Sequence, residues 1–291
     1  MMHSEAELSL FLKARRAALD PEQVAGLPRT LNRRRVRGLR REEVAQLAGV
    51  SVDYYTRIEQ GRGGAVSAEV LGALSDALRL SDTERTYLRN LAGRNTRRSG
   101  ASSADGVCAP PAMPRQRVRP ELRTLLTAME RVPALIMGRA LDLLAWNEPL
   151  ARLWPGLELL GDDDLNLARL LFLDPQAAAL HIDLDAMRRE VVAKLRADSG
   201  ADPDEPRLCG VVQDLRDGSP AFRGLWEERE VREQPHGIHR LRHPVAGELT
   251  LYFEKMPLPA DPGQTLLTYA AEPGSPSEER LRLLVAAGQM V

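Results

Sequence analysis

The sequence predicts two domains: an all-α domain of five helices, followed by an α+β domain with an antiparallel sheet of about five strands. Leu and Ala dominate the apolar residues while Phe, Trp and Tyr make up only 4% of the chain, which favours helices. Up to about residue 92, apolar residues recur at helical spacing. Near the other end, three segments alternate polar and apolar residues, as strands do. We place the domains at 1–93 and 118–291, joined by a linker at 94–117.

The predicted first domain is a series of helices separated by clear breaks. Residues 6–19 carry apolar residues at spacings of three and four, which predicts one amphipathic helix. Residues 21–38 contain two Pro and two Gly around the basic run Asn32-Arg33-Arg34-Arg35, which predicts an irregular basic arm. Four short helical segments then run from Leu39 to about Ala92. Ser67 and Ser81 each begin a helical run as N-caps do.

The linker is predicted from composition. Its Gly, Ser, Ala, Pro and Arg residues show no apolar period, so too little surface can be buried to offset the entropy of ordering the segment. Arg94, Arg97 and Arg98 are either solvated or available to a polyanion.

The predicted second domain places two strands before a helical block and three after it. A helix is expected at 118–131 and a last amphipathic helix at Ser277–Ala287. The remaining helices are expected near 148–154, 165–173, 183–198, 204–216 and 219–230. The strands are expected at 133–139, 142–147, 237–244, 247–256 and 263–272, with Ala140-Leu141 separating the first two.

Charge is distributed unevenly along the chain. Residues 1–98 contain 18 Lys and Arg against 12 Asp and Glu, whereas the remainder contains 22 against 29. A basic first part suggests a polyanionic partner for that part alone. The two cysteines, Cys108 and Cys209, lie far apart, which argues against a disulfide framework or a zinc knuckle. With no signal pattern and no long apolar run, we expect a soluble cytoplasmic protein that contacts no membrane.

The segment RREEVAQLAGVSVDYYTRIEQGR at 40–62 has the spacing of a helix-turn-helix. Ala45 supplies the small residue that a close helix crossing needs, and Gly49 can take the positive φ of the turn. Ser51 is a plausible N-cap of the second helix. The apolar residues that fill the wedge between the two helices are Val44, Ala48, Val50, Tyr55 and Ile58.

In a helix-turn-helix the N-terminal part of the second helix enters the major groove of double-stranded DNA. Arg57 is the best candidate to read a base, because Arg can bond two acceptors of guanine. Val52 can pack on a thymine methyl; Asp53 either accepts from cytosine or serves as a first-turn acid. The residues predicted at bases are Ser51, Val52, Asp53 and Arg57. Those predicted at phosphates are Arg40, Arg41, Tyr54 and Arg62. Arg33–Arg35 are either a solvated loop or a further DNA contact.

The stretch LRREEVAQLAGVSVDYYTRIEQG resembles the helix-turn-helix of the Xre family, which is related to phage repressors. The ending Ile58-Glu59-Gln60-Gly61 is similar to that family's signature. The resemblance implies a lambda-repressor-like fold from Leu8 to about Ala92 and binding to an operator. The interval of about twenty residues before the motif departs from compact phage repressors. A homodimer is expected, since operators are commonly two-fold.

The second domain carries no recognised catalytic motif: GxSxG, a P-loop, GxGxxG after a strand and HExxH are all absent from its sequence. Strand alternation puts His239 and His243 on one face and His236 on the other, which argues against a metal site, and no cofactor is expected. An antiparallel sheet flanked by helices often holds an apolar pocket with a few polar groups. The candidate ligand-binding residues are Trp146, Asn147, Phe222, Trp226, His243 and Tyr252.

Several fragments, among them LDLLAWNEPLARL, AFRGLWEEREV and RLRHPVAGELTLYFEKM, are similar to the MmyB-type ligand-binding domain. The resemblance spans about 120–285. It implies a PAS-like fold and a fatty-acid-like or other apolar ligand. The chain is therefore expected to be a DNA-binding transcription regulator and not an enzyme. Two alternatives stay open: a second domain that only dimerises or binds a partner protein, and, less favoured, an enzymatic one.

Overall fold

A computed structural model describes residues 4–21, 24, 38–98, 116–161, 165–202 and 205–286. The chain divides into two compact units. The first consists of Met1–Cys108 with the short segments Gly200–Asp202 and Glu228–Arg232, and the second contains the rest. The basic run at 32–35, most of the predicted linker, and Asp162–Asp164 lie outside the described residues.

The N-terminal unit contains five described helices, as predicted. They are α1 (Ser4–Ala18), α2 (Arg41–Leu47), α3 (Val52–Glu59), α4 (Ala68–Ala77) and α5 (Asp82–Arg98). Buried Leu8, Phe11 and Leu12 of α1 form its core with residues of the later helices, and Phe11 meets Tyr87 edge-to-face at 5.0 Å between ring centroids. Helix α5 continues to Arg98, so the first residues of the predicted linker are helical.

Local capping explains where these helices begin and end. The Ser67 hydroxyl accepts a hydrogen bond from the Val70 N–H at 3.3 Å, which satisfies one of the unpaired donors at the start of α4. Ser81 and Glu84 form a reciprocal capping box: the Ser81 hydroxyl accepts from the Glu84 N–H, and the Glu84 carboxylate accepts from the Ser81 N–H. Both N-cap predictions are confirmed.

The C-terminal unit is built on a five-stranded antiparallel sheet in the order β2-β1-β5-β4-β3. The strands are β1 (Ala134–Met137), β2 (Leu143–Trp146), β3 (His236–His243), β4 (Gly247–Pro257) and β5 (Thr265–Ala271). The helices are α6 (Pro120–Ala128), α7 (Glu148–Leu153), α8 (Leu167–Leu173), α9 (Pro175–Ala179), α10 (Leu184–Ala201), α11 (Pro206–Gly218), α12 (Pro220–Glu228) and α13 (Pro276–Ala286). The predicted α+β class is confirmed. The structure differs from the prediction in the additional helix α9 and in α6, which is shorter than the predicted 118–131.

The sheet has two unlike faces. On the inner face, Leu251, Phe253 and Leu267 belong to the main core together with residues of α7, α8 and α10 to α13. On the outer face, α6 covers β1, β2 and β5 through Leu122 and Leu126. The outer face of β3 and β4 remains exposed in the described chain. The side chains of the inner face are therefore enclosed between the sheet and the helices.

The turn between β1 and β2 carries a conformation that its sequence does not favour. Ala140 and Leu141 have φ of 53° and 69°, as a two-residue hairpin turn of the I′ type requires, although Asn and Gly are the usual residues there. Tertiary contacts hold the turn. The buried Asn166 amide donates to the Ala140 carbonyl at 2.8 Å and to the Asp142 carboxylate at 2.9 Å, and Arg207 also bonds Asp142. These contacts offset a strain of about 1–3 kcal/mol per residue.

Candidate DNA interface and ligand-binding face

Helix α3 presents one side to solvent and the other to the core. Val52 is 42% exposed at the start of the helix, and Asp53 and Arg57 are exposed beside it. Tyr55 and Ile58 on the opposite side are buried. The residues predicted to read bases therefore lie on an open surface, including Ser51 just before the helix.

The turn between α2 and α3 has the predicted geometry. Gly49 has φ +64°, and the Val50 N–H donates to the Ala45 carbonyl at 3.0 Å, which closes the C-terminal end of α2. The Ser51 hydroxyl accepts from the Tyr54 N–H at 3.1 Å, which caps the start of α3. Ala45 is fully buried at the helix crossing. These local bonds fix the angle at which α3 leaves the turn.

A buried carboxylate holds α3 from behind. Glu59 has no solvent exposure, and its carboxylate accepts hydrogen bonds from Arg16 Nε at 2.6 Å and from Arg41 Nε. The Ser9 hydroxyl donates to the Glu59 carbonyl at 2.6 Å. Burial favours the protonated acid, but the two guanidinium groups outweigh it, so the pKa of Glu59 lies below its usual value. Sequence reasoning missed this network.

The residues predicted at phosphates have different surroundings. Arg40 is exposed before α2, and its backbone N–H donates to the Glu43 carboxylate at 2.7 Å. Arg41 is ion-paired with Glu59, although its side chain remains 43% exposed. Tyr54 is half-buried, and the guanidinium of exposed Arg62 bonds the side chain of Gln60. Their phosphate contacts stay predictions.

Two of the predicted ligand-binding aromatics pack together in the C-terminal unit. Phe222 is fully buried, stacks on Trp226 at 5.4 Å between ring centroids, and meets Phe172 edge-to-face at 5.3 Å. The buried guanidinium of Arg196 lies 4.1 Å from the centre of the Trp226 ring. Trp146 is partly buried and packs against the same core. Phe222, Trp226 and Trp146 thus pack in or against the core. A ligand role for these three residues stays a prediction.

Asn147 has a structural role in the fold, and its predicted ligand contact stays a prediction. Its side-chain oxygen accepts from the N–H groups of Ala134 and Leu150, at 3.0 and 3.1 Å. Its side-chain nitrogen donates to the carbonyls of Met129 and Val132, at 2.9 and 2.8 Å. An amide side chain offers two acceptor and two donor positions, so its capacity is filled.

His243 and Tyr252 also have defined places in the fold, and their ligand roles stay predictions. The Nδ1 atom of His243 accepts from the N–H groups of Val245 and Ala246, so its ring proton is on Nε2 and is donated to the Arg152 carbonyl at 2.9 Å. Nδ1 thus fixes the β3–β4 turn, and Nε2 joins the end of β3 to α7. Tyr252 is 43% exposed on the outer face, because its neighbours Leu251 and Phe253 take the inner one.

A polar cluster on the inner face was not predicted. His239 is buried, its Nδ1 atom lies 3.1 Å from the Tyr269 hydroxyl, and its ring stacks on Phe253 at 4.0 Å. Glu190 of α10 pairs with Lys255, and its other oxygen lies 3.7 Å from His239 Nε2. Burial opposes the charged form of Glu190, but His239 and Lys255 outweigh it and hold its pKa below the usual value.

Family models match both parts of this architecture. A helix-turn-helix domain model matches residues 7–88. The MmyB-like transcription regulator ligand-binding domain model matches residues 118–284, which is more than half of the 291 residues. The chain belongs to the MmyB-like transcription regulator family. Among curated proteins, none matches it. The chain is thus a DNA-binding transcription regulator with a ligand-binding domain.

The described part of this MmyB-like regulator holds no group of three or more His, Cys, Asp or Glu side chains arranged to bind a metal ion. The predicted separation of the histidines on β3 is confirmed, since His239 and His243 are buried on one face and His236 is exposed on the other. None of the described helices is long and apolar enough to span a bilayer.

Proposed function

We propose that this MmyB-like regulator binds a specific operator through α3 and that a small apolar, fatty-acid-like ligand in the C-terminal domain alters the affinity for that operator. In this proposal Arg57 and Val52 read bases, with Ser51 and Asp53 beside them. Arg40, Arg41, Tyr54 and Arg62 contact phosphates and supply most of the salt dependence.

The exposed side of α3 is the observation that carries the DNA half of the proposal. Val52 is 42% exposed and would pack against other apolar residues if this side belonged to the core. The opposite side is anchored through Tyr55, Ile58 and Glu59. A helix that is rigidly held from behind can present its exposed side chains to base edges without a large ordering cost.

The sheet's inner face supports the ligand half. Its side chains are mainly Leu, Phe and Tyr, with a few convergent polar groups around His239, which is the composition of a small-molecule site. A ligand changes operator affinity only if it binds the DNA-competent and DNA-incompetent arrangements with different affinity. We propose that the regulator acts as a homodimer, because a single helix-turn-helix contacts only one half of a two-fold operator.

Selection of bound sites from random double-stranded DNA tests operator binding directly. On the selected site, Arg57→Ala is expected to relax the preference at one base position by ~1–3 kcal/mol. Arg41→Ala is expected to weaken binding to all sequences and to flatten the salt dependence. Arg89→Ala, an exposed arginine on α5, serves as the control. If Arg57→Ala weakens binding equally on every sequence, Arg57 does not read a base.

Native mass spectrometry of the purified full-length chain tests the ligand half. A co-purifying lipid-like molecule supports ligand control. A dimer that carries no ligand, and whose operator affinity is unchanged by added apolar compounds, supports the alternative in which the second domain only dimerises or binds a partner protein.

A further inference from the structure

An apolar row crosses the open outer face of the sheet. Ile238 of β3 lies directly opposite Tyr252 of β4, which in turn lies opposite Ala270 of β5. All three residues are exposed, Ile238 to 54% and Tyr252 to 43%. Side chains directly opposite on neighbouring strands are about 5 Å apart, so these three form one continuous strip, which we name the outer row. A contiguous apolar strip on a surface, unlike a single exposed side chain, indicates a contact site.

The edges of the same sheet are partly covered by other segments of the chain. At the β3 edge, the Ile182 N–H donates to the Arg240 carbonyl at 2.9 Å. At the β2 edge, the Leu143 N–H donates to the Leu165 carbonyl at 2.9 Å. Backbone groups that are already paired cannot extend the sheet into a second molecule. A macromolecule that contacts this sheet is therefore expected to pack on the outer face.

The N-terminal unit offers no comparable strip among its described residues. Val52 is the one exposed large apolar side chain that the structure describes there, and it lies on the side of α3 that is proposed to face DNA. The centres of homodimer interfaces are more apolar than the rest of a protein surface. A dimer contact is therefore better placed on the C-terminal unit.

Charges of opposite sign flank the outer row. On one side, Glu254 lies two residues beyond Tyr252 along β4; it is exposed and forms no ion pair with any residue that the structure describes. On the other side, Arg240 lies two residues beyond Ile238 along β3, and its side chain is 52% exposed. Arg240 pairs with Asp183, but a guanidinium has five N–H donors and can bond a second carboxylate.

This arrangement of charges is complementary to itself. A two-fold axis along the outer row places the row of one copy on the row of the other and exchanges the two flanks. Glu254 of each copy then lies beside Arg240 of the other. Such a surface satisfies the requirement of an isologous dimer, in which the same patch serves both subunits.

We propose that the outer row and its flanking charges form the interface between two copies of this chain, related by a two-fold axis along the row. The inference rests on the homodimer of the proposed function and names the surface through which that dimer forms. The two sheets pack face to face, as in a β-sandwich, with Tyr252 at the centre.

Sedimentation equilibrium of the full-length protein measures the dissociation constant of the dimer. Tyr252→Glu places two carboxylates against each other at the centre of the interface, and it is expected to raise this constant at least about tenfold. Val245→Glu is the control, because Val245 is an even more exposed apolar residue, 84%, but lies in the β3–β4 turn. It should leave the constant unchanged.

Reversal of the flanking charges tests the orientation of the two copies. Glu254→Arg and Arg240→Glu each bring like charges together and should raise the dissociation constant about fivefold, whereas the double variant should return to within about twofold of the wild type. Arg240 lies opposite Thr250, four residues from Glu254 along β4, or about 13 Å. Because that distance is too long for an ion pair within one chain, recovery in the double variant must arise between copies.

Circular dichroism confirms that each variant is folded, and if Tyr252→Glu does not fold, the charge reversals decide. A dissociation constant that is unchanged in folded Tyr252→Glu, or single reversals that do not recover in combination, overturns the inference while the homodimer itself stands. In that case the outer row is covered by another segment of the chain or by a different protein. A wild-type chain that is monomeric both alone and on its selected DNA site overturns the proposed homodimer and this inference with it.

Discussion

Replacing Glu59 with glutamine tests whether the buried carboxylate holds α3 in place. The change keeps the size of the side chain and removes its charge. The carboxylate of Glu59 accepts from Arg16 and from Arg41, one oxygen for each guanidinium. A glutamine amide offers one oxygen and one nitrogen, and the nitrogen is a donor. One arginine therefore faces another donor in place of its acceptor.

The expected loss of stability follows from the burial of the partners. Removing one member of a buried ion pair typically costs about 3–5 kcal/mol, because the remaining charge is left without a partner. The side chains of Arg16 and Arg41 are 16% and 43% exposed, so water can partly solvate them after the change. We expect a loss of about 2–3 kcal/mol, which lies just below that range. With a urea m-value of about 1 kcal/mol/M for a small domain, the midpoint should fall by about 2–3 M.

The chain contains the reporters that the measurement needs. Its three tryptophans, Trp146, Trp154 and Trp226, all lie in the C-terminal unit, so their fluorescence follows the unfolding of that unit alone. Far-UV circular dichroism follows both units, and a separate transition is expected because a two-domain chain need not unfold in one step. In Glu59→Gln the urea midpoint measured by fluorescence should be unchanged. One of the transitions measured by circular dichroism should move to a lower urea concentration. Glu42→Gln, an exposed acid on α2, is the control.

The same carboxylate predicts a pH dependence. Because the pKa of Glu59 is lowered in the folded chain, its stabilisation is fully present above the ordinary value of 4.5 and is lost as pH falls through the folded value. Glu59→Gln should remove this contribution to the loss of stability at low pH. A variant that unfolds at the same urea concentration as the wild type, or that keeps the same acid sensitivity, would refute the reasoning.

The remaining predictions concern backbone strain and a polar side chain. Gly49 and Arg79 both follow helices and both have left-handed backbone conformations, with φ +64° and +51°. Gly49→Ala should destabilise the N-terminal unit by about 1 kcal/mol, because a side chain is strained in that conformation. Arg79→Gly should stabilise the same unit by up to about 1 kcal/mol, and urea denaturation measures both changes. Equal effects of one sign would contradict the strain argument. Asn147→Ala removes four hydrogen bonds to backbone groups and should destabilise the C-terminal unit by about 2–4 kcal/mol in tryptophan fluorescence, with no change in the transition of the other unit.

The helix-turn-helix could be predicted because its constraints are local. Ala45, Gly49 and Ser51 lie within a few residues of one another, and each is required by the geometry of one turn. The burial of Glu59 was not predicted, because an acidic residue near a helix end is usually solvated. Its burial depends on Arg16, 43 residues earlier in the chain, and periodicity carries no information about that pairing.

The strands were predictable for the same reason, but the polar cluster around His239 on the inner face was not. Alternation along β4 places Leu251 and Phe253 on one face, and this pattern already implies that Tyr252 faces the other way. The ligand role predicted for Tyr252 therefore concerns the outer face. Glu190 and Tyr269 meet His239 only through the packing of α10 on a sheet whose strands pair in non-sequential order. That arrangement is a property of the folded topology.

The division of α3 into an anchored side and an open side has a consequence for how operator preference can diverge. In the proposed DNA complex, substitutions at Val52, Asp53 and Arg57 alter base reading and leave the anchored side of α3 in place, because these three side chains are exposed whereas Tyr55 and the other anchoring residues are buried. Related regulators can thus acquire new operators by exchanging a few exposed side chains on an unchanged scaffold. A library randomised at these three positions and selected on variant operators would yield stable proteins with altered targets.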